Sequence, residues 1–316
     1  MKYTAKRIGM LLITMVLVSL LTFVAFSLVS GDPAQTKLGV EATPEALAAL
    51  RHEWGLDRPL IVRYISWLGG FFTGDLGVSY RYGSPVWSLV APKLGLTLLM
   101  CLMSFLLIVV VSIPLGVWSH RWVGGAFDWV HTAFNQLCMA VPPFFTGILL
   151  SYAFGILLRV FVPGESIDLG AHLARSLRHL FFAAVCVAIP RIAMTVRMMR
   201  ATVVGEMNKA YVRTAISRGN DRHGVLWGHV LKNSLVATVT FLGQTMAEII
   251  GGSIVVEQVF GVPGLGSFLV SSINTRDYPV VQTIVVILAF WVVLAGTLAD
   301  LIDRAIDPRL RLGGTK

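Results

Sequence analysis

Glu248 stands inside an apolar run, 233–256, where an ionisable side chain is expensive. A carboxylic acid at the centre of a membrane-crossing helix costs about 2.5–3.5 kcal/mol on insertion scales and normally faces protein or a wet cavity. Two chemistries are open to it: a carboxylate that meets a cation or ammonium group on a transport pathway, or an acid that makes an interhelical hydrogen bond. Gln244, Glu248 and Gly252 are four apart and share one helical face. Gly243, Ala247 and Gly251 form an adjacent face of small residues suited to close helix packing. The run thus predicts one wet stripe and one contact stripe.

Catalytic patterns are missing. No G-x-x-x-x-G-K-[ST] phosphate loop occurs, and Gly313-Gly314-Thr315-Lys316 has the wrong order. His52, His120, His131, His172, His179, His223 and His229 form no H-E-x-x-H arrangement, and no G-x-S-x-G elbow appears. Cys101, Cys138 and Cys186 sit in apolar runs without ligand spacing, so neither a disulfide framework nor a zinc site is implied. Met198 and Met199 adjoin, but the other methionines scatter through apolar helices as packing residues. The expectation is a chain with no catalytic residue, no metal site and no ATP hydrolysis of its own.

The elements that carry these residues follow from composition. With 55% hydrophobic and 14% charged residues and a mean hydropathy of +0.74 over 316 residues, the chain reads as an integral membrane protein. Soluble enzymes and nucleic-acid modules are excluded, and the net charge of +9 is read as loop charge. Six apolar runs are long enough to cross roughly 30 Å of hydrocarbon: 8–29, 94–119, 129–158, 180–196, 233–256 and 278–299. The first is longer than a signal-peptide core and lacks a clear A-x-A exit, which predicts a retained helix. In the fourth, Arg191 follows Pro190 near one end, where an arginine can snorkel to the interface. The inner segments 1–7, 119–131, 191–232 and 304–316 hold 16 Lys and Arg, against 4 in the short outer loops 159–178 and 257–279. Both termini are therefore expected in the cytoplasm. The predicted fold is all-α, with an N-terminal span in 1–30, a helical outer loop in 31–93 and a five-span core in 94–316.

Two loops are organised. In the outer one, Thr43, Pro44 and Glu45 supply an N-cap, a first-turn proline and a dipole-matched acid for a helix reaching His52. Leu60, Ile61, Tyr64, Trp67, Leu68 and Phe71 then repeat at helical spacing up to Gly69 and Gly70. That stripe suits packing against neighbouring spans or a platform beneath an outer partner. The inner loop, 197–232, is long for a connection. It reads as helix from 198 to 218, a turn at Gly219, Asn220 and Asp221, and a second helix from 222 to 233. Such a helix could dock on a peripheral protein; a basic loop held at anionic lipid headgroups is the other reading.

Tyr211-Val212-Arg213-Thr214-Ala215, followed after three residues by Gly219, resembles the coupling motif of binding-protein-dependent ABC importer permeases of the dipeptide, oligopeptide and nickel group. The resemblance spans the chain through Gly31-Asp32-Pro33, Gly55-Leu56-Asp57-Arg58-Pro59-Leu60, Gly74-Asp75-Leu76-Gly77, Pro263-Gly264-Leu265-Gly266, Arg276-Asp277-Tyr278-Pro279 and Asp307-Pro308-Arg309. Two positions depart from the pattern: no proline follows the coupling segment, and Glu248 replaces the uncharged residue of peptide permeases, as in nickel-type members. The resemblance implies a permease subunit of the bacterial inner membrane, importing peptides or nickel and metal chelates. Its implied partners are a second homologous permease, two cytoplasmic subunits that bind ATP and Mg, an extracytoplasmic solute-binding protein and membrane lipid, with no nucleic acid. It assigns coupling to Arg213, Thr214, Ala215, Gly219 and Asp221, while Gln244, Glu248 and Gly252 remain the pathway candidates. An ion- or proton-coupled secondary transporter using Glu248 is the alternative, though the paired broken helices of such carriers are not evident. A membrane-anchored sensor is a third class.

Overall fold

A computed structural model describes residues 2–28, 31–39, 41–165 and 167–306, with side chains from 7 to 302. Among the described residues the chain is an all-α membrane protein, relieved only by an isolated bridge between Val78 and Pro85. The Asp307-Pro308-Arg309 motif, Gly313 and the rest of the C-terminal inner segment lie outside the described residues. Backbone amides in hydrocarbon must be satisfied within the segment, which leaves helices as the spanning element here. Five helices are long and apolar enough to cross a membrane, in Arg7–Leu28, Val86–Trp122, Leu173–Met207, Arg222–Phe260 and Tyr278–Ile302. A bent pair, Ala126–Ala140 with Pro143–Leu157, makes a sixth if it counts as one span.

The chain divides into two units. The first, Met1–Thr97 with Pro263–Trp291, holds α1 (Lys2–Leu28), α2 (Pro33–Leu38), α3 (Pro44–Glu53), α4 (Leu60–Thr73), the start of α5 (Val86–Ser119), and, later in the chain, a ten-residue helix at Leu265–Asn274 and the start of the last helix. As expected, Thr43 caps α3, accepting from the Ala46 amide at 3.3 Å. The second outer helix does not stop at Gly69 and Gly70. It runs to Thr73 and ends where Gly74 takes a left-handed conformation, because two glycines weaken a helix while a C-terminal αL residue terminates it. Val86, Val90, Leu265, Phe268, Val280 and Ile284 are buried together as this unit's core.

The same unit explains several sequence motifs as one construction. Asp32 caps α2 through the Ala34 amide at 3.0 Å and pairs with Arg51 at 2.7 Å. A side chain at Gly31 would overlap the Arg276 guanidinium, so Gly31 is required by that approach. The fully buried Asp277 carboxylate accepts from Ser79 Oγ at 2.5 Å and the Tyr80 amide at 3.0 Å, tying the loop after α4 to the start of the last helix.

The second unit, Leu98–Val262 with Val292–Lys316, is centred on two long helices. Between α5 and them come α6 (Ala126–Ala140) and α7 (Pro143–Leu150), the latter prolonged by a wider π turn over Ser151–Leu157. The expected span 129–158 is not one straight helix: the chain bends by 99° between Ala126–Ala140 and Pro143–Leu157. Consecutive prolines remove two amide donors and force the preceding residue out of the helical region, and Val141 is extended accordingly. The fourth span is longer than 180–196. α8 (Leu173–Met207) runs through Pro190 unbroken, as membrane helices permit when neighbours satisfy the freed carbonyls.

α9 (Ala210–Ser217) and α10 (Arg222–Val225) follow, and a π turn over Leu226–Val230 leads directly into α11 (Leu231–Phe260). α12 (Leu265–Asn274) and α13 (Tyr278–Ile306) complete the series. The entry into the fifth span, which lacks the family's proline, is therefore a π turn in a continuous helix. α8 and α11 pack together, with His179 Nε2 of α8 2.8 Å from the Phe260 carbonyl of α11, and α5 is tied to α8 by Ser104, which donates to the Ala184 carbonyl at 3.1 Å.

Candidate functional site

The sequence directs attention to two places in the second unit. The first is the connection from α8 to α11. The helix expected over 198–218 is divided at Asn208 and Lys209, so that only α9 stands free as the short helix. Its inward face, Tyr211, Val212 and Ala215, joins a buried cluster with Val117, Met199, Val203, Val225 and Val230. Its outward face carries Arg213 and Thr214, both exposed, with Ile216 beside them. Gly219 has φ +91° and open space where a side chain would stand, so glycine is demanded by the backbone and not by packing. Asn220 folds back on the Ala215 carbonyl at 3.0 Å, and Asp221 caps α10 through the Gly224 amide at 3.2 Å. Arg213, Thr214, Gly219 and Asp221 thus share an exposed surface, and Ala215 lies on the anchoring side.

What ties α9 to its neighbours was not read from the sequence. Tyr211 donates to Glu206 Oε2 at 2.9 Å and accepts from Asn233 Nδ2 at 3.2 Å, linking the end of α8 to the start of α11. Burial pushes the Tyr211 phenol above its ordinary range, which keeps the proton it donates. Lys209 pairs with Glu206 on the other side. The available signal was the polar trio itself, placed at the ends of two apolar runs.

The second place is the middle of α11. Gln244 and Glu248 are exposed on the isolated chain and Gly252 is half-buried, 3.9 Å from Val187 Cγ1 were it to carry a Cβ. Glu248 is not alone: the Arg191 guanidinium of α8 forms a salt bridge with it. Arg191 therefore does not snorkel away but turns to the acid, a pairing signalled in the sequence by one charge of each sign in consecutive spans. The pair lines a cavity of about 210 Å³ walled by Met139, Val141, Pro142, Val187 and Gly252. The bend between α6 and α7 supplies that wall. The small-residue face has different surroundings along its length on the isolated chain. Gly243 packs so closely on Ala299 that a Cβ would come within 2.1 Å, whereas Gly251 faces open space. The structure does not bring the two sets together, since Asp221 and Glu248 are separated by roughly 40 Å of helical rise.

Comparison with known proteins gives the family. Residues 112–312 match the binding-protein-dependent transport system inner membrane component family, and residues 1–101 match the N-terminal component of such systems. This chain belongs to that permease family. The permease is 33% identical over 309 residues, 98% of its length and 99% of the relative's, to a probable peptide ABC transporter permease protein, y4tP, of Sinorhizobium fredii. It is 35% identical over 306 residues (97% and 98%) to a putative peptide transport system permease protein of Brucella abortus, and 32% identical over 311 residues (98% of each) to the oligopeptide transport system permease protein AppB of Bacillus subtilis. With its apolar helices, the permease is a multi-pass protein of the bacterial inner membrane and a transport subunit.

Proposed function

We propose that the permease forms part of the translocation pathway of an ATP-driven peptide importer, with six spans and both termini in the cytoplasm. The observation that carries this reading is the Arg191–Glu248 pair on the cavity beside the α6–α7 bend. A lone glutamate would favour cations. A guanidinium and a carboxylate side by side suit cargo that carries both charges, as a peptide with free termini does: the arginine accommodates its carboxylate and the glutamate its ammonium group. The peptide relatives support the same cargo over nickel or metal chelates. Gln244 and Gly252 extend the polar face and leave room along it.

In this reading α9 is the coupling helix. Arg213, Thr214 and Gly219 meet a cytoplasmic ATP-binding subunit, Ala215 packs beneath, and Asp221 holds the following turn. Two such subunits bind ATP and Mg, a second homologous permease completes the pathway, and an extracytoplasmic solute-binding protein delivers cargo. Closure of the ATPases displaces α9, and the Tyr211 bridge passes that displacement to α8 and α11, the helices that hold Arg191 and Glu248. Uptake of a dipeptide into proteoliposomes, with and without the copurifying ATPases, is the test. Uptake should require the ATPases and internal ATP; uptake driven by an ion gradient alone refutes the reading in favour of a secondary transporter.

A further inference from the structure

The first unit contains a larger cavity, of about 440 Å³, that shares no residue with the one at Glu248. Its walls come from α3, α4, the loop after α4 and the start of α13, and its volume falls in the range of small-molecule sites. Two of its lining residues carry buried donors with no protein partner, Trp67 Nε1–H and the Tyr278 hydroxyl. Buried polar groups are almost always satisfied, and an orphaned donor costs free energy until an acceptor reaches it.

A cation stands with them. Arg63 lies one helical turn before Trp67 on the same face of α4, and its guanidinium neighbours the hydroxyl of Tyr80, whose phenol burial pushes up and Arg63 draws back. Trp54 stacks on Tyr80 with ring centroids 4.1 Å apart, forming an aromatic slab in the same wall. Beside Trp54, the exposed Glu53 makes no salt bridge among the described residues. The residues around the cavity thus carry an indole N–H, phenols and a guanidinium suited to a carboxylate, an aromatic surface, and a carboxylate without a salt bridge suited to an ammonium group.

We infer that this cavity is a binding site for a small zwitterion, an amino acid or dipeptide with free termini, distinct from the proposed pathway. The ligand's carboxylate takes the hydrogen bonds that Trp67 and Tyr278 lack and pairs with Arg63. Its ammonium group faces Glu53, and its side chain lies against Trp54 and Tyr80.

Equilibrium dialysis of radiolabelled alanyl-alanine against the detergent-solubilised transporter complex, without the solute-binding protein, tests it. Saturable binding should persist in an Arg191→Gln/Glu248→Gln double variant, which separates this site from the pathway. It should weaken about tenfold in Trp67→Phe, which keeps the ring and removes the donor, and at least as much in Arg63→Gln. The C-terminal amide and the N-acetyl derivative should compete poorly, and inorganic phosphate should not compete at equal concentration. Absence of saturable binding, unaltered binding in both Trp67→Phe and Arg63→Gln at normal complex abundance, loss of binding in the double variant, or displacement by phosphate as effective as by dipeptide each overturns the assignment.

Discussion

Glu248 changes meaning once its partner is known. In the sequence it is an acid isolated in an apolar run, and the natural reading is an attraction for cations. Paired with Arg191 it carries no net field at a distance, and what remains is a local dipole that, in the proposed pathway, cargo enters by replacing one partner or the other. At an effective dielectric near 20, unit charges 4 Å apart interact by about 4 kcal/mol, and solvent around a partly exposed pair cuts this to around 1 kcal/mol. Glu248→Gln should therefore lower uptake of dipeptides with a free amino terminus about fivefold while affecting N-acetylated ones less, and Arg191→Gln should lower uptake of dipeptides with a free carboxyl terminus while affecting amidated ones less. Equal losses for every cargo, restored by exchanging the two charges, would assign the pair to helix packing. Asp277 gives a second residue-scale test, because its buried carboxylate holds Ser79 and the Tyr80 amide at once. Asp277→Leu leaves both donors unsatisfied and should destabilise the first unit by about 2–5 kcal/mol, read as loss of assembled complex or a lower unfolding temperature, whereas Asp277→Asn should retain much of the stability.

Among the elements, α9 is the one whose attachment can be broken without removing it. A β-branched residue at Gly219 must adopt φ near +91°, which costs strain although no atom stands in its way. Gly219→Val should assemble in the membrane yet show reduced cargo-stimulated ATP hydrolysis and uptake, and normal values of both would refute the coupling role. Tyr211→Phe, which keeps the ring in its buried cluster but cuts the links to Glu206 and Asn233, should shift the ratio of ATP hydrolysed to peptide transported. The legibility of these elements in the sequence follows their physics. Thr43-Pro44-Glu45 and the turn at Gly219 were readable because capping and left-handed backbone are local properties. The 99° bend was passed over, because hydropathy cannot distinguish a straight span from one broken at Pro142-Pro143. The same limit hid the Arg191–Glu248 pair, since residues 57 apart meet only through the packing of α8 on α11. The face of Gly243 and Gly251 shows a related limit: helical periodicity assigns residues to a face but not a neighbour to each of them.

For the whole molecule, sidedness decides whether the parts can serve one cycle. The 16 basic residues in 1–7, 119–131, 191–232 and 304–316, against 4 in 159–178 and 257–279, predict that α9 lies in the cytoplasm and the helices α2 to α4 outside. Asp168 belongs to a short connection expected outside, where amides of Ala171 and Gly170 hold its carboxyl below the ordinary carboxylate range, so it remains charged. Reporter fusions at Glu45 and Asp168 should accordingly be active only outside, and fusions at Asp221 and Gly313 only inside. The result at Asp221 has the greatest weight. Arg213, Thr214 and Gly219 are exposed close by in sequence, and ATP is hydrolysed in the cytoplasm, so the proposed meeting with the ATPases, and the proposed passage of motion through α8 and α11 toward Arg191 and Glu248, both require an inner Asp221. An outer Asp221 would put the coupling surface where no ATPase can reach it, and the import mechanism would have to be abandoned even if every helix were placed correctly.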